Sequence, residues 1–172
     1  NQIRAIADSK SLSFRFSDEK TFKQYEPEGN ISKKLYRISE KIRCEKIGTS
    51  YFKGIKRNIE KFYQERISGL DLKNSEDKII ESFENYLRTK FLNFENDKQI
   101  EKKLKSYKKD LNEKFKDKIN QLNDLTLDQR KFNSLISELI INMNLDENLD
   151  DEEEKNDEKN NDDKQNKPDN QE

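Results

Sequence analysis

From Ile100 to Leu122 the apolar side chains fall at steps of three and four: Ile100, Leu104, Tyr107, Leu111, Phe115, Ile119 and Leu122. That spacing lines them along one face of a helix; a strand would place successive residues on alternating faces. The residues between them are almost all charged or amide-bearing. The segment therefore reads as helical, with one stripe to bury and a solvated remainder.

The same pattern recurs on either side. Ile31, Leu35, Ile38 and Ile42 form one stripe, and Phe52, Ile55, Ile59, Phe62 and Tyr63 a second. Ile79, Phe83, Tyr86, Leu87, Phe91 and Phe94 form a third, and Phe132, Leu135, Ile136, Leu139, Ile140 and Met143 the last. Punctuation supports several of the boundaries. Thr126 with Gln129 fits a capping box, Ser75 before Glu76 and Asp77 suits a helix start, and Gly69 suits a stop. The expectation is an all-α, multi-helix domain over residues 31–145.

Residues 1–30 are less regular. In SLSFRFSD, Leu12, Phe14 and Phe16 alternate with polar neighbours, which is the strand period, whereas the preceding RAIADSK suits a helix equally well. A lone strand has no partner to pair with, which tilts the reading to helix. The chain begins at Asn1 rather than Met, so a truncated start is expected.

Residues 146–172 differ in kind. They hold 13 acidic against 4 basic residues, a net of −9 in a chain whose total is −1, so residues 1–145 carry +8. With almost nothing to bury, this tail is expected to be a disordered acidic linker.

Several chemistries are excluded early. The lone Cys44 forbids an internal disulfide or a cysteine metal cluster, and reads as a small core residue. Histidine is absent, which removes the commonest general base and transition-metal ligand. No apolar run approaches the roughly 20 residues of a membrane span, and no signal peptide opens the chain. A cytoplasmic protein without membrane partners is expected. Lys102, Lys103, Lys105, Lys108 and Lys109 cluster in one segment, but acidic residues are interleaved and no recognition motif appears. A solvated helix face accounts for them better than a nucleic-acid surface.

EKIGTSYFKGIKRN, Glu45 to Asn58, has two glycines, a Thr-Ser pair and several cations. A phosphate loop needs G-x-x-x-x-G-K-[ST]; here Gly48 and Gly54 have the wrong spacing, Ile55 follows the second glycine, and no hydroxyl follows Lys56. A helix break fits better, with Gly48 ending one helix in the left-handed conformation and Thr49 or Ser50 capping the next. DSKSLS, Asp8 to Ser13, falls short of the D-x-S-x-S metal motif, because Lys10 and Leu12 occupy the serine positions. No catalytic, cofactor or metal residue is assigned.

Five blocks together resemble the CobT subunit of the aerobic ATP-dependent cobaltochelatase. They are RAIADSKSL (Arg4–Leu12), PEG (Pro27–Gly29), EKIRCEKIG (Glu40–Gly48), KGIKRNI (Lys53–Ile59) and LDQRKFNSLISELI (Leu127–Ile140). Their order, closed by the acidic tail, is similar to the family's N-terminal helical region and linker. Ser17 stands where the family commonly carries histidine, and the family's C-terminal von Willebrand A-type domain does not follow, so a fragment is expected.

The resemblance implies an accessory, non-catalytic subunit. Its expected partners are an AAA+ ATPase subunit and a large corrin-binding subunit. The complex would use ATP and Mg2+ to insert Co2+ into hydrogenobyrinic acid a,c-diamide. Docking is expected near Gly48, Lys53, Lys56 and Arg57, with the cations facing acidic groups of the partner; the alternative is a plain turn with solvated cations. The competing functional class is a free-standing helical adaptor, with or without a nucleic-acid contact, whose resemblance is accidental.

Overall fold

The computed structural model describes residues 2–69, 74–95 and 98–145, and the fate of the acidic tail lies outside them. Its helices are α1 (Gln2–Phe16), α2 (Glu19–Gln24), α3 (Asn30–Tyr51), α4 (Lys53–Ser68), α5 (Ser75–Leu92), α6 (Lys98–Phe115), α7 (Ile119–Asp124) and α8 (Gln129–Ile141). No strand occurs among the described residues, and the fold is all-α.

The stripes predict most of the core, the exception being Phe52, which is exposed. Leu35 and Ile42 of α3, Ile59 and Tyr63 of α4, Phe83, Tyr86, Leu87 and Phe91 of α5, and Phe132, Ile136 and Ile140 of α8 are all buried. Central α3 packs against α1, α4, α5 and α8. Aromatic contacts fasten the periphery to α5. Phe115 lies edge-on to Phe83 and to Tyr86, both at 5.9 Å between centroids, and Phe91 meets Phe132 at 6.1 Å. Truncating a wholly buried ring such as Phe115 to alanine costs about 3–5 kcal/mol.

The stripe from Ile100 to Leu122 breaks into α6 and α7 at a turn in which the Lys118 amide donates to Phe115 O. Buried Phe115 and Ile119 flank that turn, so the apolar face runs on although the helix does not.

Helices α1 and α2, within residues 2–24, pack onto the rest as well. Ala5, Ser9 and Leu12 of α1 are buried, with Phe16 packed against the core, at steps of three and four. Phe14 is 79% exposed, so the strand-like alternation of Leu12, Phe14 and Phe16 is incidental. Helix α1 packs on α3 and α4, and α2 packs on α8.

One capping expectation needs correction, while α5 starts at Ser75 as expected. Helix α8 is capped by Asp128, whose carboxylate accepts from the Lys131 amide at 3.1 Å. Thr126 instead donates its hydroxyl to Asn123 O. Gln129 reaches another part of the fold, donating to Asp18 O (3.0 Å) and accepting from the Asp18 amide (2.8 Å). At α5 the cap is Asn74, one residue before Ser75. Gly69 does terminate α4, with right-handed φ.

Candidate docking site

The helix break lies at Phe52, not Gly48. Helix α3 runs through Gly48 to Tyr51, and Phe52 alone, at φ −127° and ψ 90°, separates it from α4. No described glycine has positive φ. Thr49 and Ser50 do not cap α4; their hydroxyls donate back to Lys46 O and Ile47 O within α3. Gly48 is required for closeness rather than for turning. A Cβ at this position would lie 2.2 Å from Leu12 Cδ2, so the missing side chain is the notch that seats α1 on α3.

Around that notch the interior is charged. Arg88 of α5 is buried, and its guanidinium meets Glu45 at 2.6 Å and Glu84 at 2.8 Å. Its other faces lie against the rings of Tyr63 (4.8 Å) and Phe94 (5.7 Å). Ser9 of α1 donates to the second Glu45 oxygen. Arg66 of α4 extends the cluster, bonding Glu84 and, through both terminal nitrogens, Glu81.

Burial opposes ionisation of Glu84, but the Arg88 and Arg66 guanidiniums outweigh it and hold the carboxyl below its ordinary value. At Glu81, burial prevails over Arg66 and the pKa is raised. Burial works against the charge of Arg88 too, and its two carboxylate partners reverse that.

A second buried pair ties distant segments together. Arg43 makes a bidentate contact with Glu40 and donates to Phe16 O, at the end of α1, and to Thr126 O, just before α8. Ser17 donates its hydroxyl to Glu40 at 2.6 Å. Cys44 is buried beside them, and burial pushes its thiol up to about 12, in keeping with a small core residue.

The other side of the same segment faces water. Tyr51 and Phe52 are 68% and 47% exposed, their rings 6.4 Å apart. Lys53 and Arg57 are exposed and Lys56 half-buried, and none forms an ion pair among the described residues. At spacings of three and four they share one face of α4. The structure thus brings the three predicted cations together, but not Gly48, which sits inside. Arg57 also borders a cleft of about 260 Å³ with Arg4, Lys61 and Asn58, the last bonded to Asp8 of α1.

This corner is locally unfavourable. Helix α4 starts with no side-chain cap and no acidic residue in its first turn, while Lys53 and Lys56 sit at its positive end. Each misplaced cation there costs about 0.3–1 kcal/mol. Among the described residues no carboxylate pairs with these cations; the nearby negative pole is the last turn of α3, one residue away.

A family model described as cobalamin biosynthesis protein CobT matches residues 1–172. The chain belongs to the CobT family. The match covers its whole length, so the resemblance is not accidental, and CobT membership places the chain in cobalamin biosynthesis. No curated protein and no solved structure shows significant similarity to it.

The structure explains why the CobT-like blocks, far apart in sequence, go together. Arg4–Leu12 meets Glu40–Gly48 through Ser9 with Glu45 and Leu12 with Gly48. Lys53–Ile59 joins Arg4–Leu12 through Asn58 and Asp8, and Gln129 of the last block reaches Asp18. Sequence reading missed the buried Arg–Glu clusters. Their traces are the spacings of Glu84 with Arg88, four apart, and of Glu40 with Arg43, three apart, and the first is also the spacing of the solvent-exposed Lys61 and Glu65. No helix of the described residues is long and apolar enough to cross a membrane, and no group of three metal-ligating side chains is assembled among them.

Proposed function

We propose that this chain is the helical assembly region of a cobaltochelatase accessory subunit, docking through the α3–α4 corner onto the complex's AAA+ ATPase subunit. In this reading the complex is cytoplasmic and includes a large corrin-binding subunit. It spends ATP with Mg2+ to insert substrate Co2+ into hydrogenobyrinic acid a,c-diamide. The region described here contributes shape and charge rather than a catalytic group.

One observation carries the docking half of the reading. At the α3–α4 corner, cations that pair with no carboxylate among the described residues occupy the positive end of an uncapped helix beside two exposed rings. A fold optimised for itself would place a cap or carboxylates there; a local violation of this kind is characteristic of functional surfaces. Acidic groups on a partner would neutralise the cations, and the rings Tyr51 and Phe52 would supply buried area.

The corner's geometry is fixed from below. Gly48 seats Leu12, Glu45 holds Arg88, and α3 reaches the corner as one continuous helix. The test is sedimentation of this chain mixed with the ATPase subunit over a series of salt concentrations. The reading expects a complex at low salt that weakens steadily as salt rises. Absence of any complex at low salt removes it.

A further inference from the structure

Helix α1 has two apolar faces, and the core uses only one. Ala5, Ser9, Leu12 and Phe16 point inward. Ile3, Ile6 and Phe14 point outward, at 84%, 51% and 79% exposure. At 100° per residue the outward set, with Lys10 at its centre, spans an arc of about 80° that is separate from the buried one. An exposed stripe this long is not needed to hold α1, which is already anchored through Ser9, Leu12 and Phe16 O.

Beside the stripe lies a trough. Two cavities, of about 380 and 450 Å³, both border Lys10, Ser13 and Lys41, and so adjoin along α1. Ile6 and Ile59 line the first, Phe14 and Phe22 the second. From Ile6 to Ser17 the trough runs about 16 Å along the helix axis, the length of three turns.

The charges around it select the occupant. The acidic groups that reach the trough are already engaged: Glu45 with Arg88, Glu40 with Arg43, and Glu19 with Lys23. Arg37 is engaged with Glu26. Lys10 and Lys41 form no ion pair among the described residues, though Lys41 also helps hold buried Glu84 ionised, so the mouth is apolar with two cations at its rim.

A second copy of this chain is a poor fit, because two-fold pairing of the stripes sets Lys10 against Lys10, while the carboxylates bordering the trough are engaged within their own chain. The acidic tail is a poor fit also; within 146–172 Leu149 is the one large apolar side chain. We propose that the outer face of α1 and its trough receive an amphipathic helix from a partner protein. That helix would have apolar side chains spaced three and four apart and flanking carboxylates that meet Lys10 and Lys41. This surface is distinct from the α3–α4 corner and does not rest on the chelatase reading.

The test uses the full chain and two labelled synthetic helices of about 15 residues, about 22 Å long. Both carry leucines three and four apart; one has glutamate flanks, the other lysine flanks. In fluorescence anisotropy the glutamate helix should bind about tenfold or more tightly than its twin, a difference of about 1.4 kcal/mol. Lys10→Glu with Lys41→Glu should invert the preference. Ile6→Ser with Phe14→Ser should weaken both helices, with unchanged circular dichroism. Equal binding of the two helices, or binding indifferent to Phe14→Ser, overturns the proposal. So does a concentration-dependent dimer that Phe14→Ser dissolves, since a second copy then covers the face.

Discussion

Arg88 and Lys53 carry the same charge in opposite circumstances. Arg88 is sealed in the interior, held by two carboxylates and two rings. Lys53 stands in water beside half-buried Lys56 and exposed Arg57, unpaired among the described residues, at the helix end where a cation is least welcome. The first arrangement leaves nothing for a ligand to add. The second is open and locally unfavourable, which is the condition under which a partner gains most by binding. Charge density alone does not separate structure from function in this chain; the state of pairing does.

The comparison breaks most visibly at Arg88. Arg88→Met leaves Glu45 and Glu84 buried without their main partner, and the expected loss is about 3–5 kcal/mol in urea unfolding. Adding Glu45→Met should recover much of it, because a well-packed apolar pair replaces an orphaned charge. A loss below 1 kcal/mol would mean that the cluster is hydrated and the interior reading is wrong.

Gly48 comes next. Gly48→Leu must displace Leu12 and should destabilise by about 2 kcal/mol. Leu12→Ala in the same chain should make the combined loss smaller than the sum of the two, since each change relieves the other. Strict additivity would show that the notch is not a contact.

Acid sharpens the contrast from the interior side. Glu84 has a folded pKa below its ordinary 4.5, so its stabilisation is present above 4.5 and disappears as pH falls through the folded value. Asp18 and Asp128, lowered from 3.8 by the backbone amides of Thr21 and Lys131, act in the same direction. Glu81 acts oppositely. Its folded pKa is raised above 4.5, so it takes up a proton sooner in the folded chain, and falling pH there adds stability. Urea midpoints against pH should hold or rise slightly on approach to 4.5 and then drop. Glu81→Gln should abolish the rise and leave the drop.

Gln129→Ala has a smaller expected effect. It removes the bonds to Asp18 and should cost about 1 kcal/mol, read as a lower thermal midpoint.

The helices were legible in the sequence because burial in a helix imprints a 3.6-residue period on composition, and Ile31 to Met143 carries it throughout. Residues with more than one use were not legible. Gly48 could permit a turn or a close approach, and only the position of Leu12 on a distant helix decides between them. Thr126 and Asp128 are both good caps two positions apart; the last turn before α8 selects the aspartate. Buried Glu84 and Arg88 look like any surface pair four residues apart until α3 brings Glu45 beside them. That Lys53, Lys56 and Arg57 share one face of α4 was legible, because it depends on local spacing alone.

The central claim is that the interior of this segment holds the fold while its exterior docks. The direct measurement is the triple variant Lys53→Glu, Lys56→Glu, Arg57→Glu, followed in parallel for thermal stability and for affinity to the ATPase subunit at low salt. Carboxylates at the start of α4 suit its dipole, so stability should hold or rise by about 0.5–1 kcal/mol. Affinity should fall at least about tenfold, and the salt dependence of binding should flatten. Opposite movement of the two quantities is what the account predicts. Affinity unchanged from that of the original chain would contradict it and leave the corner a plain turn with solvated cations.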